Sequence, residues 1–554
     1  MTWFKKIFVV LTRRERALFL IALTGAAASF AVVMGILFTN VTKAVPAAGG
    51  EYIEGVVGQP EYVNPVIAAS QTDLDLVKMV YSNLDDVADS IDVATDTRTW
   101  TVHLKGGLMW QDGQKLTSDD VVFTVQSIQD RDADSPLYAS WQGVAVSRVS
   151  ELEVQFTLVN PYSFFADNLA SLYIVPKHLF ADTPPGNWHL SNYNLKPIGS
   201  GPYKFSSYEK SGGGFISGYN LQAWNGNDAR PLIQNFNFQF FTDENALVAS
   251  FNNGQIDAFG NASPEDISEI ERPYDAFAWR TSGYYAVFFN QSENLALQDP
   301  AVRLALATAL DRTGIVNQVF NGNAASDVGP IPPDAAYFVP VTATSSLDFA
   351  STTLTNAGWG FPGALSSGTA PAFRSKTIHG TSIPLVVNLT VPQIDFLAKT
   401  ATLLQSVWQS IGVQVNIIPD SADTIANQTI KNRNYESLLF GNVLGPSSDL
   451  YSFWNSSQRF YPGLNLAIYS NSKVDAAIKG ARELSSSTVI AANMATAQKD
   501  IENDNPAIFL YSPDYVYVTN KNVQGIATGT LLNDPSDRFR GVPAWYLNTA
   551  RVLK

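Results

Sequence analysis

The chain has 554 residues, 45% apolar and 16% charged, which gives material for several large cores and excludes global disorder and collagen-like or coiled-coil rods. It contains no cysteine, which excludes disulfide scaffolds, thiolate zinc sites, cysteine nucleophiles and a lipid-modified N-terminal cysteine. The net charge is −14, and residues 51–554 hold 30 basic against 49 acidic side chains, a body that repels polyphosphates and argues against nucleic-acid binding.

Lys5, Lys6, Arg13, Arg14 and Arg16 precede an uncharged 22-residue stretch at 17–38. As a helix it reaches about 33 Å, enough to cross a bilayer's hydrocarbon core. The basic flank holds the N-terminus inside. The expected arrangement is a cytoplasmic segment at 1–16, a transmembrane anchor at 17–38, a tether at 39–50, and an ectodomain outside the cell membrane, extracellular or periplasmic. A cleavable signal peptide has a shorter apolar region of about 7–15 residues. The small residues of Val41–Ala48 keep cleavage as the alternative.

In the body, Trp100, Val102 and Leu104 alternate with polar neighbours, as do Leu152, Val154, Phe156 and Leu158, so each run suits a half-buried strand. Trp110–Gly113 reads as a turn. The run from Leu116 to Gln126 reads as a helix capped by Ser118, with Asp119 and Asp120 complementing its dipole. Asp243 and Glu244 precede Ala246–Phe251 in the same manner. The Gly199–Tyr203 turn leads into a hairpin with arms at Tyr203–Tyr208 and Phe215–Gln222. A long helix is expected from Asp299–Pro300 through Leu310 towards Phe320, followed by a rigid connector at Gly329–Pro333. Residues 341–384 read as loop, interrupted by a short helix ending at Ala357–Gly358. Ile383–Thr390 is β-rich, and Pro392 stands where a helix can begin. Ile394, Leu397, Ala401, Leu404, Trp408 and Ile411 then mark one helical face, before Val413, Val415 and Ile417 resume alternation. That is a β-α-β unit with a parallel strand pair.

No G-x-S-x-G, H-E-x-x-H or G-x-x-x-x-G-K-[ST] motif occurs. His103, His178, His189 and His379 are dispersed, so no metal site and no cofactor are expected. These patterns describe an exported, acidic, multi-domain α/β ectodomain without naming its function.

The same segments, in this order, resemble the extracellular solute-binding proteins of family 5, the oligopeptide- and dipeptide-binding components of ABC importers. The resemblance rests on Glu61–Pro65, Trp100–Leu104, Trp110–Gly113 with Leu116–Phe123, Phe156–Leu158 with Asn160-Pro161-Tyr162, Ile174–His178, Pro197–Tyr203 and Asn253–Asp257. Arg303–Arg312, Gly322 with Gly329–Pro332, Ser410–Val415, Asn465 to Asp475 and Pro506–Tyr511 continue it. It spans about residues 50 to 525. It implies an α/β, two-lobed periplasmic-binding-protein-like fold of type II, preceded here by the N-terminal transmembrane helix. The first lobe would comprise 51–82, 193–280 and 526–554, the inserted subdomain 83–192, and the second lobe 281–525.

The resemblance further implies a monomeric, non-enzymatic receptor that closes on a peptide and delivers it to ABC permease subunits. Its implied ligand-lining residues are Ser70, Gln71, Tyr284, Asn442 and Asp449, with a core role as the alternative for Tyr284. Departures bear on the ligand. Asn442 stands at the family's tryptophan position, Asp449–Leu450 replaces an Asp-Pro pair, and Val391–Pro392 replaces a basic clamp, so longer peptides fit better than dipeptides. Asp449 is the loop's one carboxylate for a peptide ammonium, or else a helix cap. An oligosaccharide or a metal chelate is the alternative solute. The rivals from other classes are an anchored glycan or peptide hydrolase, with paired carboxylates across a cleft, and an adhesin with a flat contact face.

Overall fold

The computed structural model describes residues 12–227, 230–341, 344–362, 373–483, 486–529 and 531–554. Part of the expected 341–384 loop therefore lies outside the described residues; the helix within it runs from Leu347 to Asn356.

Two mixed sheets organise the body. The first has seven strands in the order Tyr274–Trp279, Tyr515–Asn520, Ala258–Phe259, Glu51–Val57, Asn235–Phe241, Ile216–Ala223 and Tyr203–Lys210. The last two are the expected hairpin, paired antiparallel from Tyr203↔Ala223. A four-stranded antiparallel sheet is built from 88–157, within the range expected for the inserted subdomain. It shares one continuous core with the first lobe, in which Trp100, Trp110 and Trp141 join Tyr52, Phe236 and Trp545. The second lobe's six-stranded sheet runs Ala324–Ser326, Ala507–Pro513, Gly283–Phe289, Ser437–Val443, Val386–Pro392 and Gln414–Asp420. Separate apolar cores cover its two faces.

The β-α-β unit forms as expected. Val386–Pro392 pairs parallel with Gln414–Asp420, and helix Asp395–Ser410 connects them, burying Leu397, Ala401, Leu404 and Trp408. Pro392 ends the strand rather than starting the helix: it still pairs with Asp420, and the helix's N-cap is Ile394, whose backbone is extended.

Three local expectations change. Thr117, not Ser118, caps the helix Ser118–Gln129: its hydroxyl accepts from the Asp119 amide at 3.3 Å, while the Ser118 hydroxyl donates to the Ser150 carbonyl. The long helix from Pro300 breaks after Thr308. Asp311 starts a second helix, Arg312–Phe320, by accepting from the Gly314 amide at 3.0 Å. A side-chain cap competes with helix continuation there and wins. Strand Tyr515–Asn520, expected in the second lobe, pairs with Tyr274–Trp279 in the first lobe's sheet. The chain thus crosses between lobes near 280–282 and again near 513–514. The two crossings are stitched by Arg280 to Asp514 (2.6 Å) and by the Thr281 hydroxyl to the Pro513 carbonyl (2.9 Å).

Ahead of the body, Arg13–Val41 is a single helix, long and apolar enough to cross a membrane. Much of the expected tether is ordered: Thr42–Ala47 forms an antiparallel ribbon with Asn548–Leu553.

Candidate functional site

The second lobe's sheet opens where its parallel strands end. Ser437–Val443 pairs with Val386–Pro392 only at Leu389↔Ser437 and Thr390↔Leu438. On its other side it stays paired with Gly283–Phe289 through Gly283↔Val443. The divergence leaves Leu439–Val443 without a strand partner on one side among the described residues. In α/β sheets, a crevice at the carboxyl ends of diverging strands is the usual place for a ligand.

Buried polar groups fix this strand end. Tyr284 and Asn442 are opposite one another in the ladder. The Asn442 amide donates to the Tyr284 hydroxyl at 3.0 Å, and the Trp454 indole donates to the same oxygen at 3.1 Å. Tyr284 is fully buried, and burial raises its pKa above the ordinary phenol value. Its hydroxyl therefore stays protonated and orients the Asn442 side chain.

The loop leaving this strand reaches the inserted subdomain within a few residues. The Ser447 amide donates to Asp167 Oδ2 at 2.9 Å, and the Tyr162 hydroxyl donates to Asp449 Oδ2 at 3.2 Å. Arg482 forms an ion pair with Asp449 at 3.1 Å. Its guanidinium lies between the Tyr162 and Tyr451 rings, 4.6 and 4.3 Å from their centroids. The Ser163 amide donates to the Arg482 carbonyl at 2.7 Å, and Phe164 is buried in the second lobe's core beside Tyr337. Burial raises the pKa of Asp167, and the Ser447 contacts pull it back down. Elsewhere along the boundary, Lys399 of the second lobe pairs with Glu265 of the first. The structure thus shows the two halves in contact through a compact apolar and ionic patch.

Ser70 and Gln71 hydrogen-bond within the first lobe. Ser70 caps helix Gln71–Val80, accepting from the Asp73 amide at 3.1 Å. The Gln71 amide donates to Asp75 at 3.1 Å and to Asp534 at 3.2 Å. Of the five expected site residues, then, Tyr284 and Asn442 meet directly, Asp449 joins the contact between lobes, and Ser70 and Gln71 remain exposed at a helix start. Sequence reasoning passes over Arg482, Phe164, Asp167 and Ser447. Besides Asp449, the Asn160-Pro161-Tyr162 run points to this region, and only as scaffold. Arg482 belongs to the largely polar helix Ser472–Glu483 and carries no local signal.

A second buried network braces the first lobe beneath the Ser70–Gln71 corner. The Arg538 guanidinium forks onto Asp75, with Nη1 at 2.9 Å, and reaches Glu54 through Nε at 3.2 Å. The Tyr52 and Tyr517 hydroxyls donate to Glu54 at 2.9 and 2.6 Å. Burial raises both carboxyls, and Arg538 opposes that shift. Among the described residues no group of three or more His, Asp or Glu side chains is arranged to hold a metal ion.

The family model of the bacterial extracellular solute-binding proteins, family 5, middle region, matches residues 85–461. The chain belongs to the bacterial extracellular solute-binding proteins of family 5. Like its solved neighbours, this family 5 chain has the two-lobed periplasmic-binding fold. It is 27% identical over 509 residues to the oligopeptide-binding protein AppA of Bacillus subtilis, covering 87% of this chain and 89% of that protein. The substrate-binding protein CtaP of an ABC transporter from Listeria monocytogenes superposes with a TM-score of 0.76 at 26% identity, over 90% of this chain and 99% of that one. The structure of AppA in complex with a nonapeptide gives a TM-score of 0.69 at 25% identity, over 91% of this chain and all of that one.

Proposed function

We propose that the protein is a membrane-anchored extracellular receptor that captures oligopeptides by closing its lobes and delivers them to an ABC importer. The observation that carries this reading is the unpaired side of Leu439–Val443, a few residues from the contact between lobes. An extended peptide can add to such an edge through main-chain hydrogen bonds, which tolerate many side chains. The similarity to a protein solved with a nonapeptide supports this ligand class.

In this reading Ser70 and Gln71 offer exposed polar groups from the first lobe, while Asn442, buried against the Tyr284 hydroxyl, fixes the strand end. Asp449 is paired with the Arg482 cation and accepts from the Tyr162 hydroxyl, so its role is to hold the closed form rather than to receive a peptide ammonium. A ligand bridging both lobes shifts the population towards closure in proportion to its extra contacts in that state. The helix Arg13–Val41 keeps the receptor at the membrane and raises its effective concentration near the permease. Adding a diverse pool of oligopeptides should raise the melting temperature, and native mass spectrometry should show an intact bound peptide. No shift and no retained peptide would remove peptides as the ligand, and cleaved peptides would turn the reading towards a hydrolase.

A further inference from the structure

The strands Thr42–Ala47 and Asn548–Leu553 pair with each other outside both lobes' sheets, in register from Thr42↔Leu553 to Ala47↔Asn548. The ribbon starts at Thr42, directly after Val41, the last residue of the apolar helix. The Lys554 amide donates to the Val41 carbonyl at 2.9 Å, so the end of the second strand lies level with the helix exit. Arg551 crosses that junction. Its Nε donates to the Thr42 hydroxyl at 2.9 Å, and its guanidinium stands 5.4 Å from the centroid of the Phe38 ring, the last residue of the uncharged stretch.

A helix that crosses a bilayer with residues 17–38 leaves Thr39–Thr42 at the headgroup level. Arg551 then stands at the boundary between hydrocarbon and headgroups, where long basic side chains settle with their stems in the apolar layer and their charge in the polar one. Lys43 is opposite Val552, and Arg551 is opposite Ala44. By the two-residue period of a strand, Lys43, Val552 and Lys554 share one face, while Arg551 and Leu553 share the other. Cations therefore emerge on both faces of the ribbon end. Leu553 is 78% exposed and Val552 41%, apolar groups that the described residues leave uncovered. Residues 39–50 and 546–554 contain no acidic side chain, in a body that is otherwise strongly acidic.

Resting on the reading of Arg13–Val41 as a retained anchor, we propose that Lys43, Arg551 and Lys554 form a basic collar binding the phosphate headgroups of the bilayer the helix crosses, with Leu553 inserted among them. The ribbon then holds the ectodomain in a fixed pose on the membrane, and its cations offset the repulsion between an acidic body and anionic lipid. Each basic group at such a surface contributes about 1 kcal/mol.

The chain has no cysteine, so Leu553→Cys in the full-length protein gives a single labelling site. A fluorophore there, in phosphatidylcholine vesicles doped with phosphatidylglycerol, should be quenched by lipids carrying a headgroup nitroxide. Nitroxide-phosphatidylglycerol should quench more than nitroxide-phosphatidylcholine. Lys554→Gln, which leaves the Arg551 contacts in place, should reduce that preference about fivefold, the factor equivalent to one such charge. An intact chain with an unquenched label, or with equal quenching by the two lipids, overturns the collar and leaves the anchor standing. A purified chain whose N-terminal mass shows a cut between Val41 and Ala48 overturns the anchor and the collar together.

Discussion

Arg482 shows how one side chain can carry a contact between lobes. Its guanidinium has Asp449 on its edge and the rings of Tyr162 and Tyr451 on its faces. The planar fork of arginine suits such a stacked and paired site, and lysine does not reproduce it. Arg482→Ala would leave Asp449 partly buried with only the Tyr162 hydroxyl and the Tyr451 amide as partners. On the receptor reading, the closed form weakens and peptide affinity falls about tenfold, ~1.4 kcal/mol, measurable by calorimetry with a defined peptide. Unchanged affinity would remove Arg482 from the closing contact. Arg538 is the counterpart within the first lobe. Arg538→Met strands two buried carboxyls, and removing one partner of such a network costs about 3–5 kcal/mol, a drop that urea unfolding of the variant would register.

Among the elements, the Gly199–Tyr203 turn was legible as a turn, but its reason was not. A Cβ at Gly199 would stand 1.9 Å from the Val80 carbonyl oxygen, and one at Gly201 would be 2.8 Å from the Tyr81 carbonyl oxygen. The backbone of this turn runs against the end of helix Gln71–Val80, whose Val80 carbonyl accepts from the Gly201 amide at 2.8 Å. Gly199→Ala is therefore expected to lower stability by at least about 1–3 kcal/mol through forced backbone displacement, seen as a lower melting temperature. An unshifted transition would mean that the two segments separate freely. The β-α-β unit was readable because its helix shows one apolar stripe between two alternating runs. The break at Asp311 was not, because the apolar pattern continues through it and a single carboxylate cap decides the boundary.

Across the whole molecule, the second lobe contains two carboxyls that burial raises far above their usual range, Asp327 to about 8 and Glu502 to about 7. Asp327 is fully buried facing Arg312 and Glu502, and its Oδ2 has no hydrogen-bond partner among the described residues. A raised carboxyl binds its proton more tightly in the folded than in the unfolded chain. Its contribution is fully present below the ordinary carboxyl pKa of about 4 and is lost as pH rises through the folded value. The melting temperature should therefore decline between about pH 5 and about pH 8. Asp327→Asn, keeping the shape without the ionisation, should flatten that slope; an identical slope in the variant would place the pH dependence elsewhere.

The sequence by itself determined what local and periodic patterns can encode: the apolar helix, the acidic body, the hairpin at 203–222, the β-α-β unit, and a series of motifs ordered well enough to name the family. Through resemblance it also named Tyr284 and Asn442 as candidate site residues. Only the tertiary structure decided that these two share a hydrogen bond, that Asp449 is held by Arg482 and Tyr162, and that Thr42–Ala47 pairs with Asn548–Leu553. It also decided that Tyr515–Asn520 returns to the first lobe. The reason is the distance along the chain. Tyr162 and Asp449 are 287 residues apart, and the ribbon's partners about 500, and pairings across such separations leave no periodicity or cap in either segment. They exist only once the packed cores have brought the distant segments side by side.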